Sequence, residues 1–150
     1  MKTSDTIASV LKRKSTSQVL SIGPHQTVFE ALTKMAEHNI GALLVLDGAR
    51  LAGIFSERDY ARRGVLLGNP SRDTLVHELM TSHVESVTPQ HTVDHCLTLM
   101  TDRHFRHLPV VDNGEVVGLV SIGDLVKWVI SGQERKIQEL EGYISGSYPA

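Results

Sequence analysis

The chain has 150 residues, of which 41% are hydrophobic, a size and composition that suit one compact domain with a sizeable core. Its formal net charge of −2 at pH 7 gives no basic surface for nucleic acid and no polybasic segment for a membrane surface. No run approaches the roughly eighteen apolar residues that a membrane span needs, and the first residues show no apolar signal core. We therefore expect a cytoplasmic protein without nucleic-acid or membrane partners.

The first predicted element is a short helix. Ile7, Val10 and Leu11 fall at helical spacing, and the basic residues 12–14 follow where the carboxyl end of a helix favours cations. Residues 19–22 then predict a short extended segment that a Gly-Pro pair closes.

A capping box begins the second predicted helix. Thr27 and Glu30 stand three residues apart, so that hydroxyl and carboxylate can satisfy the free N–H groups of the first turn. Apolar residues then recur at helical spacing and predict one buried stripe: Val28, Ala31, Leu32, Met35 and Ala36.

Two short strands joined by a tight turn follow. Residues 43–46 are continuously apolar, as strands buried on both faces tend to be. An Asp-Gly pair supplies turn residues that tolerate positive φ and leads into a strand over 51–55. The segment ends in Gly53-x-x-Ser56-x-x-Asp59 and enters another helix, whose apolar stripe is weakly marked.

The chain then repeats itself after a break at 68–71. Residues 21–59 align with 86–124 without a gap, and 84–89 is the counterpart of the first extended segment. Identical pairs include Thr27/Thr92, Gly53/Gly118, Ser56/Ser121 and Asp59/Asp124. A unit of this kind buries its apolar face against its copy, so we expect one domain over 1–150 with a cleft between the copies.

Each copy reads strand, helix, strand, turn, strand, helix, which predicts an α/β (α+β) fold. Two β-α-β-β-α repeats, over about 7–68 and about 76–131, would be related by pseudo-two-fold symmetry. Short helices are expected at both ends of the chain. The C-terminal one, over about 133–144, is amphipathic, with Ile137, Leu140 and Ile144 on one face suited to a protein surface or a second subunit.

The two Ser-x-x-Asp motifs have two interpretations. A hydroxyl and a carboxylate three residues apart at a strand-to-helix junction form a capping box. A carboxylate at a helix N-terminus can also accept both hydroxyls of a ribose, and Gly53 and Gly118 would let a bound group approach the backbone closely. Residues 103–107, Arg-His-Phe-Arg-His, precede a buried strand and suit phosphate.

With both copies in register, the sequence resembles a tandem pair of cystathionine-β-synthase (CBS) domains, a Bateman module, and in particular the short stand-alone bacterial proteins of this kind. The resemblance rests on residues 39–45 with 53–59 and on 106–112 with 118–124. It implies a regulatory, energy-sensing module that binds AMP, ADP, ATP, NAD or S-adenosylmethionine in two clefts between the repeats.

The resemblance also implies roles for single residues. Asp59 and Asp124 would hold ribose hydroxyls, with Ser56 and Ser121 beside them. One adenine pocket would come from the first repeat: Ile22, Ile40 and Gly41. The other would come from the second repeat: Val87, Phe105 and Arg106. The phosphate candidates are Arg58, Arg106 and His107. Because Gly41-Ala42 stands where the second copy has Arg106-His107, we expect unequal clefts.

Two function classes stay open. One is a nucleotide-sensing module that signals to an unidentified regulated protein; the other is an interaction or dimerisation scaffold that binds no ligand and keeps Ser-x-x-Asp as caps. The resemblance implies a homodimer, with Trp128 and the C-terminal segment as a contact; the alternative is that Trp128 closes the monomer core.

An enzyme is not expected, because the chain has no nucleophile elbow or P-loop spacing. His91 and His95 could present two metal ligands on one helical turn, but no third ligand accompanies them, so no metal is expected. The single cysteine, Cys96, lies on the apolar face of a predicted helix, where a buried, inert thiol is expected.

Overall fold

The computed structural model describes residues 5–14 and 19–144 and shows a mixed α/β fold. The elements before the break are α1 (Ile7–Arg13), β1 (Ser21–Ile22), α2 (Val28–His38), β2 (Ala42–Asp47), β3 (Arg50–Ser56), α3 (Glu57–Asp59) and a π-helix (Tyr60–Val65). Those after it are α4 (Val76–Leu79), α5 (Val93–Arg103), β4 (His107–Asp112), β5 (Glu115–Ser121) and α6 (Ile122–Ile144). Within the described residues, no helix combines the length and the apolar character that crossing a membrane requires.

The strands form two small sheets. β1 pairs in parallel with β2, β2 pairs antiparallel with β3, and β4 and β5 form the second sheet. Both hairpins carry a register shift at the same place, after Val45 and after Val110, so the repeat extends to the irregularity of the ladder. The counterpart of β1 in the second repeat is one parallel bridge between Val87 and Val110 rather than a strand.

The helix caps follow the predicted pattern. The N–H of Glu30 donates to Thr27 Oγ1 (3.1 Å), and the N–H of Thr27 donates to Glu30 Oε1 (3.4 Å). In the second repeat, Thr92 Oγ1 accepts from the N–H of His95 (3.1 Å). The stripe of α2 is narrower than predicted, because Ala36 at its end is exposed.

Helix α1 packs on the second repeat rather than on the repeat that it precedes. Ile7 and Val10 lie in one buried cluster with Val93 and Leu108. The N–H of Ile7 donates to the carbonyl of His91 (2.9 Å), which ties the start of α1 to the loop before α5. The second repeat is therefore completed by a segment from the start of the chain.

Helix α4 makes the reciprocal contact with the first repeat. Val76 and Leu79 are buried in one cluster with Val28 and Phe55. The N–H of Val76 donates to the carbonyl of Gln26 (2.8 Å), just before α2. The two leading helices are thus exchanged between the repeats, which sequence order alone does not show.

A third apolar cluster joins the two sheets. Ala42, Leu44 and Ile54 are buried, and residues of β5 such as Val116 and Leu119 pack against them. The alternate residues of β2, Leu43 and Val45, lie instead in the apolar core of the first repeat. This continuously apolar strand is therefore buried on both faces, as predicted.

The last helix is longer than predicted. α6 runs for 23 residues without a break, so that Gly132 lies inside it and 133–144 is its final part rather than a separate helix. Trp128 on α6 faces α1: its Nε1 donates to Asp5 Oδ2 (2.8 Å), and the Arg13 guanidinium lies 5.0 Å from the ring centre. This supports the interpretation in which Trp128 closes the monomer core, while its expected role as a dimer contact stays a prediction.

The exchange predicts that α1 stabilises the second repeat. Replacing Ile7, which is fully buried, by Ala should lower the free energy of unfolding by about 2–5 kcal/mol, because it leaves a cavity in that core. Chemical denaturation would measure the change. The matched control is Ser9→Ala on the exposed face of α1, which should alter stability by less than about 0.5 kcal/mol. Equal stabilities for the two variants would contradict the docking of α1.

Candidate functional site

A cleft of about 970 Å³ lies between the two repeats. The end of α2 and the start of β2 form one wall, and the starts of β4 and α6 form the other. The last residues of α1 close the cleft from a third side. The volume suits a small organic ligand.

The Ser121-x-x-Asp124 motif lies in this cleft at the start of α6. The N–H of Ser121 donates to Asp124 Oδ2 (2.8 Å), and the N–H of Asp124 donates to Ser121 Oγ (3.1 Å). This is the predicted capping arrangement, and it fixes the carboxylate at the N-terminus of a long helix. Both residues also line the cleft, so the cap and a ligand contact are compatible.

Lys14, at the end of α1, reaches the same carboxylate. Its Nζ lies 2.9 Å from Asp124 Oδ2 and donates to the carbonyl of Leu119 at 2.7 Å. The sequence places Lys14 only among cations at a helix end. No local pattern could have found this ion pair, because it depends on the exchange that brings α1 onto the second repeat.

The environment of Asp124 keeps it ionised. Burial opposes the charge, but the N–H of Ser121 and the Lys14 ammonium outweigh burial and hold the pKa of Asp124 below its ordinary value. The cleft therefore presents a carboxylate, an acceptor for hydroxyl donors, at neutral pH.

His107 at the start of β4 also lines the cleft. Burial lowers its pKa, Asp124 and Asp59 raise it, and the cations Lys14 and Arg106 lower it further, with a net fall below the ordinary value. The ring is therefore mainly neutral at pH 7. In the cleft as it stands, His107 offers a hydrogen bond to a phosphate rather than the positive charge that the sequence suggests.

The two repeated glycines make room for the exchanged segments. A Cβ on Gly118 would lie 2.8 Å from Leu11 Cδ2, and one on Gly53 would lie 2.5 Å from the carbonyl oxygen of Thr81. Gly118 also lines the cleft, so its expected closeness to a bound group stays a prediction, whereas Gly53 lies outside the lining. Each one admits the segment that leads into a repeat, Leu11 from α1 and Thr81 from just after α4.

The first copy of the motif has different neighbours. Asp59 Oδ2 accepts from the N–H and the hydroxyl of Ser56 (both 2.9 Å), and its Oδ1 accepts from Thr81 Oγ1 (2.9 Å). Asp59 and Ser56 do not line the 970 Å³ cleft. The carboxylate of Asp59 thus accepts a hydrogen bond from the Thr81 hydroxyl, whereas the carboxylate of Asp124 accepts one from the Lys14 ammonium.

The other sequence-predicted residues separate into three groups. Ile40 and Gly41 line the cleft opposite Asp124. Three side chains pack in or against the apolar cores instead: Ile22, Val87 and Phe105. Two are exposed and lie outside the lining of the cleft: Arg58 and Arg106.

Sequence reasoning missed one face of α6. Lys127, Trp128 and Ser131 line the cleft together with Asp124. Their spacing of three, four and seven residues from Asp124 places them on one helical face. Helical periodicity counted from Asp124 would have found them.

The histidine pair forms a contact of its own. The rings of His91 and His95 are stacked with their centres 4.5 Å apart, and His91 Nδ1 accepts from the N–H of Thr88 at 2.9 Å. Within residues 5–14 and 19–144, no group of three or more His, Cys, Asp or Glu side chains could hold a metal ion. Cys96 is buried, and burial raises the pKa of its thiol to about 11, which leaves it unreactive.

Comparison with known proteins gives one consistent result. The family model described as "CBS domain" matches residues 7–65 and 76–131. The CBS domain-containing protein CBSX3 of Arabidopsis thaliana, named as mitochondrial, is 39% identical over 97% of this chain and 74% of its own length. The resemblance inferred from the repeated motifs is confirmed.

Two solved structures share the fold. A putative signal-transduction protein with CBS domains from Burkholderia ambifaria MC40-6 is 48% identical, with a TM-score of 0.82 over 85% of this chain and 96% of that one. The CBS domain pair of protein MJ0100, in complex with 5′-methylthioadenosine and S-adenosyl-L-methionine, is 24% identical, with a TM-score of 0.74 over 85% of this chain and 97% of that one. At that identity the second likeness shows the fold alone.

The ion pair in the cleft predicts a change in acidity. Lys14→Met should raise the pKa of Asp124, because the burial that opposes its charge stays while the ammonium is lost. A carboxyl NMR titration would measure it.

Since the pKa of Asp124 is lowered in the folded protein, its contribution to stability is present above the unfolded value of about 3.9 and is lost as the pH falls through the lowered value.

Lys12→Met is the control for that titration. Lys12 lies two residues earlier, is exposed, and makes no hydrogen bond to Asp124 in the structure. Its replacement should therefore leave the pKa of Asp124 unchanged. An unchanged pKa in Lys14→Met would show that the ion pair does not form in solution.

Proposed function

This chain belongs to the CBS-domain family, and we propose that the cleft between its repeats binds an adenosine-containing ligand that carries phosphate. Occupancy of the cleft would be signalled to a partner protein, so the role is regulatory rather than catalytic. The observation that carries the proposal is the ionised Asp124 carboxylate, fixed at a helix N-terminus inside a 970 Å³ cleft.

The carboxylate supports recognition of a ribose. Two neighbouring hydroxyls can donate to one carboxylate, the geometry by which acidic residues hold ribose in other nucleotide sites. Lys14 now occupies part of this acceptor. A bound ribose would replace the ammonium at Asp124 and free Lys14 to contact the phosphate.

The charges around the cleft support a phosphate-bearing ligand. Four cationic side chains line it: Lys12, Arg13, Lys14 and Lys127. The carboxylate among the lining residues is Asp124. This excess of positive charge favours AMP, ADP, ATP or NAD over neutral adenosine and over S-adenosylmethionine, whose sulfonium is itself positive.

The opposite wall supports an apolar base. Leu20 and Ile40 line the cleft beside Gly41, and Val10 and Leu119 add apolar surface from α1 and β5. A flat adenine would bury its faces against such side chains. Adenine recognition thus falls to the first repeat and ribose recognition to the second.

The two copies of the motif support unequal sites. Asp59 already accepts three hydrogen bonds, one of them from Thr81. Thr81 brings no charge to a phosphate, whereas Lys14 does. We therefore assign the ligand to the Asp124 cleft.

Signalling would pass through α1. Lys14 directly follows α1, whose apolar side is buried in the second repeat and whose Arg13 stacks on Trp128. Displacement of Lys14 by a ligand would favour a different arrangement of α1 and α6.

The cytoplasmic location expected from the sequence stays a prediction, since the relative CBSX3 is named as mitochondrial.

Asp124→Ala should abolish ligand binding. Thermal shift with AMP, ADP, ATP and NAD would test it, because a ligand at a hundredfold its Kd adds about 2.7 kcal/mol to stability. Asp59→Ala is the matched control: both variants lose a cap worth about 1 kcal/mol, but only Asp124→Ala should lose the ligand-induced shift. A parent protein that responds to no ligand would favour the scaffold function.

The cationic side chains that line the cleft should determine the order in which ligands bind, from the tightest to the weakest. We expect ADP to bind more tightly than adenosine, and Lys127→Met to weaken ADP binding by about tenfold, roughly one charge-assisted contact, with adenosine binding unchanged. Isothermal titration at two salt concentrations would measure both ligands. Arg135→Met, farther along α6 and outside the cleft, is the control. Equal losses for ADP and adenosine would show that Lys127 does not contact phosphate.

A further inference from the structure

His107 lies beside the carboxylate to which we assign the ligand. In the ladder of the second sheet His107 is paired with Ser121, so the two side chains stand next to each other on the same face. The N–H of Ser121 donates to Asp124 Oδ2 (2.8 Å), and all three residues line the cleft. The imidazole of His107 is therefore part of the same cluster as the Asp124 carboxylate.

The ammonium of Lys14 belongs to this cluster as well. It lies 2.9 Å from Asp124 Oδ2 and donates to the carbonyl of Leu119, two residues before Ser121 on the same strand. Burial lowers the pKa of His107 most, Asp124 raises it, and Lys14 lowers it. Coupling between two sites is reciprocal, so a proton on His107 weakens the hold of Lys14 on the carboxylate.

The other charges around His107 come from both repeats. Arg106, the preceding residue, also lowers the pKa of His107, and Asp59 from the first repeat raises it. Four more titratable or cationic side chains line the same cleft: Lys12, Arg13, His38 and Lys127. A ligand that displaces Lys14 leaves these groups in the protein, so Lys14 and the ligand's own charge decide the change at His107.

A ligand that takes the place of Lys14 at Asp124 favours a charged His107. The repulsion from the ammonium decreases as Lys14 leaves the carboxylate, and the attraction of Asp124 remains. The phosphate of the ligand adds negative charge to the same cleft. All three effects stabilise the imidazolium over the neutral imidazole.

We propose that a phosphate-bearing ligand enters the cleft together with a proton, which His107 takes up, so that the cleft binds its ligand more tightly as the pH falls from about 8 to about 6. The inference rests on the proposed function, because it concerns the same cleft and the same class of ligand. It adds a second signal to that function. At a constant ligand concentration, acidification alone would raise the occupancy of the cleft.

Ligand titration at several pH values tests the proton uptake. Isothermal titration with ADP and with NAD at about pH 6, 7 and 8 should give a Kd that falls by about threefold or more for each unit of acidification, since uptake of a full proton corresponds to about tenfold. His107→Gln keeps a hydrogen-bonding side chain that cannot be charged, so this dependence should be lost. The terminal phosphate of ADP itself titrates near about pH 6, and the difference between parent and variant removes that contribution.

His38→Gln is the matched control, because it removes the exposed histidine of the cleft lining and should keep the pH dependence of the parent protein. Equal pH dependence in the parent protein and in His107→Gln would overturn the proton uptake and leave the proposed function standing. Absence of ADP and NAD binding at every pH would overturn the proposed function and this inference with it.

The ligand-free protein tests the coupling between Lys14 and His107 directly. Lys14→Met removes the ammonium without adding a ligand, so an NMR titration of the imidazole C–H signals should show a higher pKa for His107 than in the parent protein. Lys12→Met, which removes an exposed cation two residues earlier, should have a much smaller effect. A pKa of His107 that Lys14→Met leaves unchanged or lowers would overturn the inference, whatever the ligand titrations show.

Discussion

The structure depends on the exchange of the leading helices. Each repeat lacks part of its own core, and the helix that precedes the other repeat fills the gap: α1 through Ile7 and Val10, α4 through Val76 and Leu79. The core of each repeat is therefore completed by a helix that lies before the other repeat in the chain. The close approach requires a residue without a side chain at position 53, where a Cβ would lie 2.5 Å from the carbonyl oxygen of Thr81. At position 118 a Cβ would lie 2.8 Å from the flexible end of the Leu11 side chain.

The same exchange makes two equal motifs chemically different. Ser56-x-x-Asp59 and Ser121-x-x-Asp124 form the same cap, but the chain segment that reaches each carboxylate is different. Thr81 brings a hydroxyl to Asp59, and Lys14 brings an ammonium to Asp124. The ammonium at Asp124 thus comes from a segment 110 residues away in the sequence, and a cap alone does not account for it.

Three faces of helix α6 have different neighbours. Asp124, Lys127, Trp128 and Ser131 line the cleft, Leu125 and Val129 pack in the second core, and an exposed apolar stripe that includes Ile130 and Leu140 lies on the remaining side. Because these faces belong to one rigid helix, a shift at the cleft end would move the far end with it. The helix is therefore the element through which a change in the cleft would reach the exposed stripe.

The sequence by itself determined the repeat, the two hairpins with their turns, the capping residues and the family, because these depend on spacings within a few residues and on a copy of them farther along. It also placed Asp124, Ser121, Ile40 and Gly41, which line the cleft. Only the tertiary structure decided that Lys14 faces Asp124, that Gly118 admits Leu11, and that Ile22 and Val87 belong to cores. The physical reason is that the local pattern of the sequence indicates which face of a helix or strand is apolar, but not which distant segment covers that face.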